Sequence, residues 1–220
     1  MINSNDKIAV GISGGKDSLA LLYSLAGLRN FYPVTFQIVA LTVDLGYGNF
    51  DLSEIQHLCE QLNVEYHIIN TQISDIVSEN RENKSRCSLC ARLRKGAFRD
   101  AALSYGCNKI AYAHHMDDII ETMLLSLLYE GRFYAFPPVT RFEDSNLTVI
   151  RPLMYCPESE INGFLHKYNL PVVKNPCPYD GHTKREYVKK LLVQLNHENP
   201  GVKKRLFHAI LEGKIEDWNL

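Results

Sequence analysis

The order of apolar runs predicts an α/β fold, a doubly wound parallel sheet with a helical C-terminal appendage. Three observations carry this. Strand-like runs at Ile8 to Ile12, Phe36 to Val43 and Tyr66 to Ile69 alternate with helix-period segments around Leu19 to Leu28 and Leu52 to Leu62. The stretch Ser13-Gly14-Gly15-Lys16-Asp17-Ser18 puts a glycine turn between the first strand and the first helix. After Gly131 the texture changes to prolines and then to basic helical stretches.

In chain order, βαβαβ runs from Ile8 to Ile69, and a long charged segment follows from Thr71 to Tyr105, its second half a helix beginning near Cys87. Ile110 to Ala113 is a further short strand. Asp117 to Tyr129 is a further helix, entered through acidic residues that suit its positive N-terminal end. Phe136-Pro137-Pro138 reads as a loop and Val149 to Leu153 as a short extended piece. Helices near Pro157 to Tyr168, Lys184 to Leu195 and Gly201 to Leu211 finish the chain. With 220 residues and no repeat or linker, the chain reads as one domain over 1–220, with 155–220 as its helical C-terminal extension.

No apolar run is long enough to span a bilayer, and Met1 to Asp6 has neither a basic nor an apolar leader segment. The expectation is a cytoplasmic protein without membrane partners. Six cysteines in such a chain point to reduced thiols or a metal rather than to a disulfide framework. The formal net charge is −1, unevenly spread. Residues 81–100 and 182–206 each carry seven Lys and Arg against two acidic residues, +5 apiece on an acidic body. Such segments make a local phosphate-binding face or simply solvated helix faces.

The glycine turn carries the strongest chemistry. Two glycines let backbone approach an anion, the helix start offers N–H groups and a favourable dipole, and Lys16, Ser13 and Ser18 add polar contacts. The spacing is not that of the Walker A loop. Asp44 ends the second strand, at the carboxyl edge where open sheets bind ligands, placed to meet ribose, the adenine edge or Mg²⁺, or to form a turn. His114-His115-Met116-Asp117-Asp118 occupies a second strand-to-helix junction on the same edge. Those groups suit Mg²⁺ binding, phosphate orientation or acceptor positioning; the bland alternative is a helix cap with packed histidines.

Cys87-Ser88-Leu89-Cys90 places two thiols three residues apart, open to zinc, redox or iron–sulfur use. The other promising thiol is Cys177, held between Pro176 and Pro178. Three thiols leave one coordination position open. Cys59 and Cys107 read as core thiols, and Cys156 as a fourth ligand or a persulfide carrier.

The Ser13 to Ser18 motif resembles the PP-loop of the N-type ATP pyrophosphatases, whose fold is the adenine nucleotide alpha hydrolase-like sheet. With Cys87, Cys90, His115 to Glu121, Tyr129-Glu130-Gly131, Phe136-Pro137-Pro138 and Cys177 before a basic helix, the chain resembles the TtcA group of PP-loop tRNA thiolases. The resemblance spans Lys7 to about Leu195. It implies Mg-ATP bound by Ser13, Gly14, Gly15, Lys16, Asp17, Ser18 and Asp44, with Lys16, Asp17, Asp44, His115, Asp117 and Asp118 in catalysis. It also implies a [4Fe–4S] cluster on Cys87, Cys90 and Cys177, tRNA as partner, a sulfur donor (sulfide or a cysteine desulfurase) and room for a homodimer. The implied reaction adenylates the C2 oxygen of a cytidine and replaces it by sulfur. The rivals are a PP-loop sulfur transferase acting on a small molecule and a non-catalytic nucleotide or Fe–S sensor. The chain is shorter and less basic than the group leads one to expect.

Overall fold

A computed structural model describes residues 1–48, 50–79, 86–173, 176–177 and 184–213. The first half runs β1 (Asp6–Gly11), α1 (Lys16–Leu28), β2 (Phe36–Asp44), α2 (Ser53–Gln61), β3 (Glu65–Asn70), α3 (Ile73–Glu79) and α4 (Arg86–Ser104). The second half runs β4 (Lys109–Ala111), α5 (Met116–Leu125), β5 (Val139–Arg141), β6 (Thr148–Ile150), α6 (Glu158–Tyr168), α7 (Lys184–Glu198) and α8 (Val202–Glu212). One turn of π-helix, Ser126–Glu130, extends α5 and ends at Gly131 in the left-handed region.

The strands form one sheet in the order β3-β2-β1-β4-β6-β5, parallel throughout except for β5. β1 is central and buried on both faces, which is why it reads as an unbroken apolar run rather than an alternating one. Its alternate residues feed two cores. Ile8 and Val10 pack with Leu19 and Leu22 of α1, Ile55 and Leu58 of α2 and Ile161 of α6. Ala9 faces Val39, Ile110 and Val149 and the α4 residues Phe98, Ala101 and Ala102.

The chain winds from β1 to β2 and β3 on one side, then returns to place β4 on the other. A crevice therefore opens at the carboxyl ends of β1 and β4, between loops that depart in opposite directions. A third core joins α5, α7 and α8 through Ile119, Ile120, Met123, Val188, Leu192, Phe207 and Ile210. The C-terminal helices thus pack against the helix that leaves the crevice.

The expected doubly wound sheet with a helical extension is present. Two features differ from the sequence expectation. Ile73–Glu79 is a helix in the first half of the long charged segment, where the sequence reading named no element, and the Phe136 to Leu153 stretch contains an antiparallel pair, β5 with β6, that read as loop and a short extended piece. Among the described residues no helix is long and apolar enough to cross a membrane.

Candidate active site

The turn after β1 is held open by its own hydroxyls. Ser18 Oγ donates to the Gly15 carbonyl at 2.8 Å and accepts from the Ser13 N–H at 3.2 Å. Gly14 has φ +81°, and a Cβ there would sit 3.1 Å from the Val173 carbonyl oxygen. The Val173 N–H donates to the Gly14 carbonyl at 3.0 Å, so backbone from both sides presses on this residue. Gly15, at the N-cap of α1, brings no side-chain cap. The first-turn N–H groups of α1 are left to a ligand.

Lys16 reaches two carboxylates, Asp17 Oδ1 at 2.6 Å and Glu158 Oε1 at 3.1 Å. Burial works against its charge, but Asp17 and Glu158 outweigh it and hold the ammonium above its usual range. Glu158 also accepts from Lys189 Nζ at 2.8 Å. Burial alone would raise its pKa; the two lysines bring it down to about 2.

At the β4 end, His115 caps α5 in a reciprocal box. Its Nδ1 accepts from the Asp118 backbone N–H at 3.3 Å, and the His115 backbone N–H donates to Asp118 Oδ2 at 3.1 Å. Its Nε2 stands 3.8 Å from Asp17 Oδ1, which ties the two strand-end loops together. Asp117 is used differently. Its two oxygens accept from Lys203 Nζ at 2.6 Å and from the Glu158 N–H at 2.8 Å, in a buried setting that binds α8 and α6 to α5. Arg185 spans Asp118 Oδ1 at 3.3 Å and Glu121 Oε2 at 3.2 Å. Burial nevertheless pushes the Glu121 carboxyl up to about 7, because the half-exposed guanidinium offsets only part of the desolvation.

A cavity of about 430 Å³ joins these parts. Ser13, Asp17 and Ser18 form its centre, and Leu41, Asp44, Leu45 and Phe50 line the β2 side. Tyr112, His114 and Asp118 line the β4 side, with Tyr134, Phe136 and Arg151 beyond them. Arg94, Lys95 and Phe98 of α4 and Pro176 close over it. A wider open groove of about 660 Å³, between α2 and the end of α6, contains none of the predicted site residues.

Cys87 and Cys90 lie at the start of α4, one helical stretch before Arg94, and Cys177 follows Pro176. The thiols are neighbours. Burial raises the Cys90 pKa, Arg94 opposes this, and charge on Cys177 and Cys87 raises it further. Among the described residues, no three His, Cys, Asp or Glu side chains are gathered to metal-binding geometry. The soft donor set suits an iron–sulfur centre, and α4, which carries Cys87 and Cys90, also lines the cavity through Arg94 and Lys95. Cys59 and Cys107 are buried core thiols, their pKa values pushed up to about 12 and about 11 by burial. Cys156 is half-buried.

The structure therefore gathers Ser13, Asp17, Ser18, Asp44 and Asp118 on one cavity, with Lys16 beside them, and places Asp117 outside it. The second basic segment divides. Arg185, Lys189 and Lys203 turn inward to carboxylates, while Lys190 and Lys204 stay exposed. In the first segment Arg94 and Lys95 line the cavity and Arg99 pairs with Asp144 at 2.8 Å. Arg81 and Lys84 of that segment, and Asn175, Pro178 and Tyr179 around Cys177, lie outside the described residues. Sequence reasoning missed Glu158, Arg185 and Arg151, whose roles come from contacts across the fold.

Comparison with known proteins agrees with this geometry. A family model described as PP-loop domain matches residues 2–196. A tRNA-cytidine(32) 2-sulfurtransferase of Citrifermentans bemidjiense is 42% identical over 213 residues, 96% of this chain and 84% of that protein. The tRNA-cytidine(32) 2-sulfurtransferase of Geobacter sulfurreducens is 41% identical over 96% of this chain and 83% of its own length. Among solved structures, the U34-tRNA thiolase NcsA from Methanococcus maripaludis, with its [4Fe–4S] cluster, superposes with a TM-score of 0.77 at 25% identity, covering 97% of this chain and 74% of that one. The NH3-dependent NAD synthetase of Campylobacter jejuni shares the fold, with a TM-score of 0.51 at 22% identity over 94% of this chain and 84% of that one.

Proposed function

The chain belongs to the PP-loop family, close to the tRNA-cytidine 2-sulfurtransferases, and from that premise we propose that it is an ATP-dependent tRNA thiolase that makes 2-thiocytidine, with cytidine 32 as its target. The observation that carries the reading is the single cavity on which the PP-loop, Asp44 and the helix bearing Cys87 and Cys90 all meet. A nucleotide and a sulfur source brought to that cavity share one acceptor.

ATP lies along the β1–β2 side. Its phosphates meet the first turn of α1, the hydroxyls of Ser13 and Ser18, and the Lys16 ammonium, which exchanges its Glu158 contact for phosphate oxygen. Asp44 and Asp17 face the same space and suit Mg²⁺. The cytidine C2 oxygen attacks the α-phosphorus and pyrophosphate leaves; the C2–O bond now ends in AMP, a competent leaving group. Sulfur then forms the new bond at C2 as AMP departs. The protein's contribution is fixed positive charge around the phosphates, supplied without reorganisation. His115 and Asp118 are positioning residues that lock the β4 loop against Asp17.

Cys87, Cys90 and Cys177 would hold a [4Fe–4S] cluster with one iron free of protein ligands, which offers sulfur a binding place next to the acceptor. Exposed Arg92, Lys190 and Lys204 and the cavity-lining Arg94 and Lys95 supply the phosphate-binding face for tRNA. Identity over 96% of the chain to tRNA enzymes favours tRNA over a small-molecule acceptor or a sensor.

The test separates the two halves of the site. Alanine at Cys87, Cys90 or Cys177 is expected to abolish iron after anaerobic reconstitution while ATP affinity stays within twofold. Lys16→Ala is expected to lower ATP affinity at least tenfold with iron unchanged. Full iron in all three cysteine variants would remove the cluster assignment.

A further inference from the structure

Away from the PP-loop, the cavity wall runs along the ends of β4 and β6, where His114, Phe136 and Arg151 line it. His114 stacks on Phe136, with ring centroids 4.5 Å apart and planes at 20°. The Arg151 guanidinium lies over the same Phe136 ring, 5.3 Å from its centroid, and Tyr134 completes the wall. Neither cationic nor imidazole nitrogen is fully used. Among the described residues His114 Nδ1 and Arg151 Nε are buried without a hydrogen-bond partner, although Arg151 Nη1 donates to the Pro137 carbonyl at 2.6 Å and to Thr140 Oγ1 at 3.1 Å. Each unpartnered buried polar group carries its desolvation cost uncompensated. Both residues line the cavity and both pack on Phe136, and two unpartnered groups in one cavity lining are what a polar ligand would satisfy after a small side-chain shift.

Resting on the thiolase reading above, we infer that this part of the cavity receives the target base, extruded from the tRNA, and that His114 and Arg151 read its pairing edge as cytosine. The chemistry matches one base. Cytosine presents an amino donor at N4 and acceptors at N3 and O2. A neutral imidazole accepts from N4–H, and a guanidinium donates to N3. Uracil reverses both positions, with an acceptor at O4 and a donor at N3, and leaves both protein groups unsatisfied. Buried donors and acceptors left unpaired are what give hydrogen-bonding sites their large discrimination. The imidazole is kept neutral by burial first and by the charges of Arg151, Arg185 and Lys95 next, which bring its pKa down to about 3. With Phe136 covered by His114 and Arg151, Tyr134 and Tyr112 are the cavity-lining rings that can stack on an extruded base, as in enzymes that take a base out of its stack.

The neutral acceptor also fits the reaction. Attack of O2 on the α-phosphorus forms the O–P bond, expels pyrophosphate and leaves the base cationic, its charge spread to the N4 amino group. An N4–H that already donates to His114 strengthens its hydrogen bond as that charge develops. Position relative to the PP-loop agrees: His114 lines the same cavity as Ser13, Asp17 and Ser18.

His114→Phe tests this, because it keeps the stack on Phe136 and removes only the polar atoms. Tm is expected to stay level or rise, since an unsatisfied buried group is deleted. ATP affinity and tRNA affinity should stay within threefold, and the rate of 2-thiocytidine formation should fall at least 100-fold. His114→Asn, which restores an acceptor, should recover part of that loss. Wild type should thiolate a tRNA carrying U in place of the target C at least 100-fold more slowly, and His114→Phe should narrow that ratio. Thiolation within threefold of wild type in His114→Phe, or a parallel loss of ATP affinity, overturns the assignment. A wild-type enzyme that forms no 2-thiocytidine on any tRNA overturns the thiolase reading itself, an outcome seen before any variant is made.

Discussion

Asp117→Asn separates the clamp carboxylate from the cavity-lining Asp118 beside it. The Asp117 side chain is 5% exposed, and its two oxygens accept from Lys203 of α8 and from the backbone of α6. Removing one partner of a buried ion pair costs about 3–5 kcal/mol. Lys203 keeps 26% of its side-chain exposure and can regain water, which places the loss nearer 2–3 kcal/mol. For a chain of this size that is a fall in Tm of roughly 4–12 °C. Differential scanning calorimetry and urea unfolding read it directly. A cycle with Lys203→Met should return a coupling of about 1–2 kcal/mol, since the two groups act as one contact. Below the transition, ATP affinity should match wild type. A variant that melts within 1 °C of wild type yet has lost pyrophosphate release would refute the reasoning, because Asp117 would then act in the chemistry rather than in the clamp.

Gly14→Ala forces a side chain onto φ +81° and brings its Cβ to 3.1 Å from the Val173 carbonyl. It should cost about 1–2 kcal/mol and reduce ATP affinity more than tenfold, as titration with a nonhydrolysable nucleotide would show. Glu121 carries the opposite pH signature from Glu158. Its pKa is raised to about 7, so between pH 4.5 and 7 the folded protein holds a proton the unfolded chain has lost, and stability falls as pH rises through that interval. Glu121→Gln should flatten that limb of a Tm-against-pH curve. Glu158, lowered to about 2, contributes stability above pH 4.5 that is lost as pH falls towards 2, and Glu158→Gln should remove that loss.

The sheet was legible because buried parallel strands are written as continuous apolar runs, and the PP-loop because its glycines and hydroxyls fall between a strand and a helix. The β5–β6 pair was not, since three-residue strands are too short to show a period, and Ile73–Glu79 offers barely two helical turns. Asp117 and Asp118 are indistinguishable as adjacent letters. Their separation comes from side-chain direction on α5, and the partner that fixes Asp117 lies 86 residues away. The same distance effect hid Glu158 and Arg185. It also made the second basic segment look more available to phosphate than it is, because three of its cations pair with buried or half-buried carboxylates. Arg151 reads as an ordinary polar letter after a strand; only the fold shows that its guanidinium is buried beside the cavity with Nε unpartnered among the described residues.

The central claim is tested most directly by nucleoside mass spectrometry of tRNA incubated with the anaerobically reconstituted protein, Mg-ATP and sulfide. The account predicts 2-thiocytidine, formed in step with AMP and pyrophosphate and absent without ATP. Pyrophosphate release that is indifferent to tRNA, with no thiolated nucleoside in the digest, would contradict it.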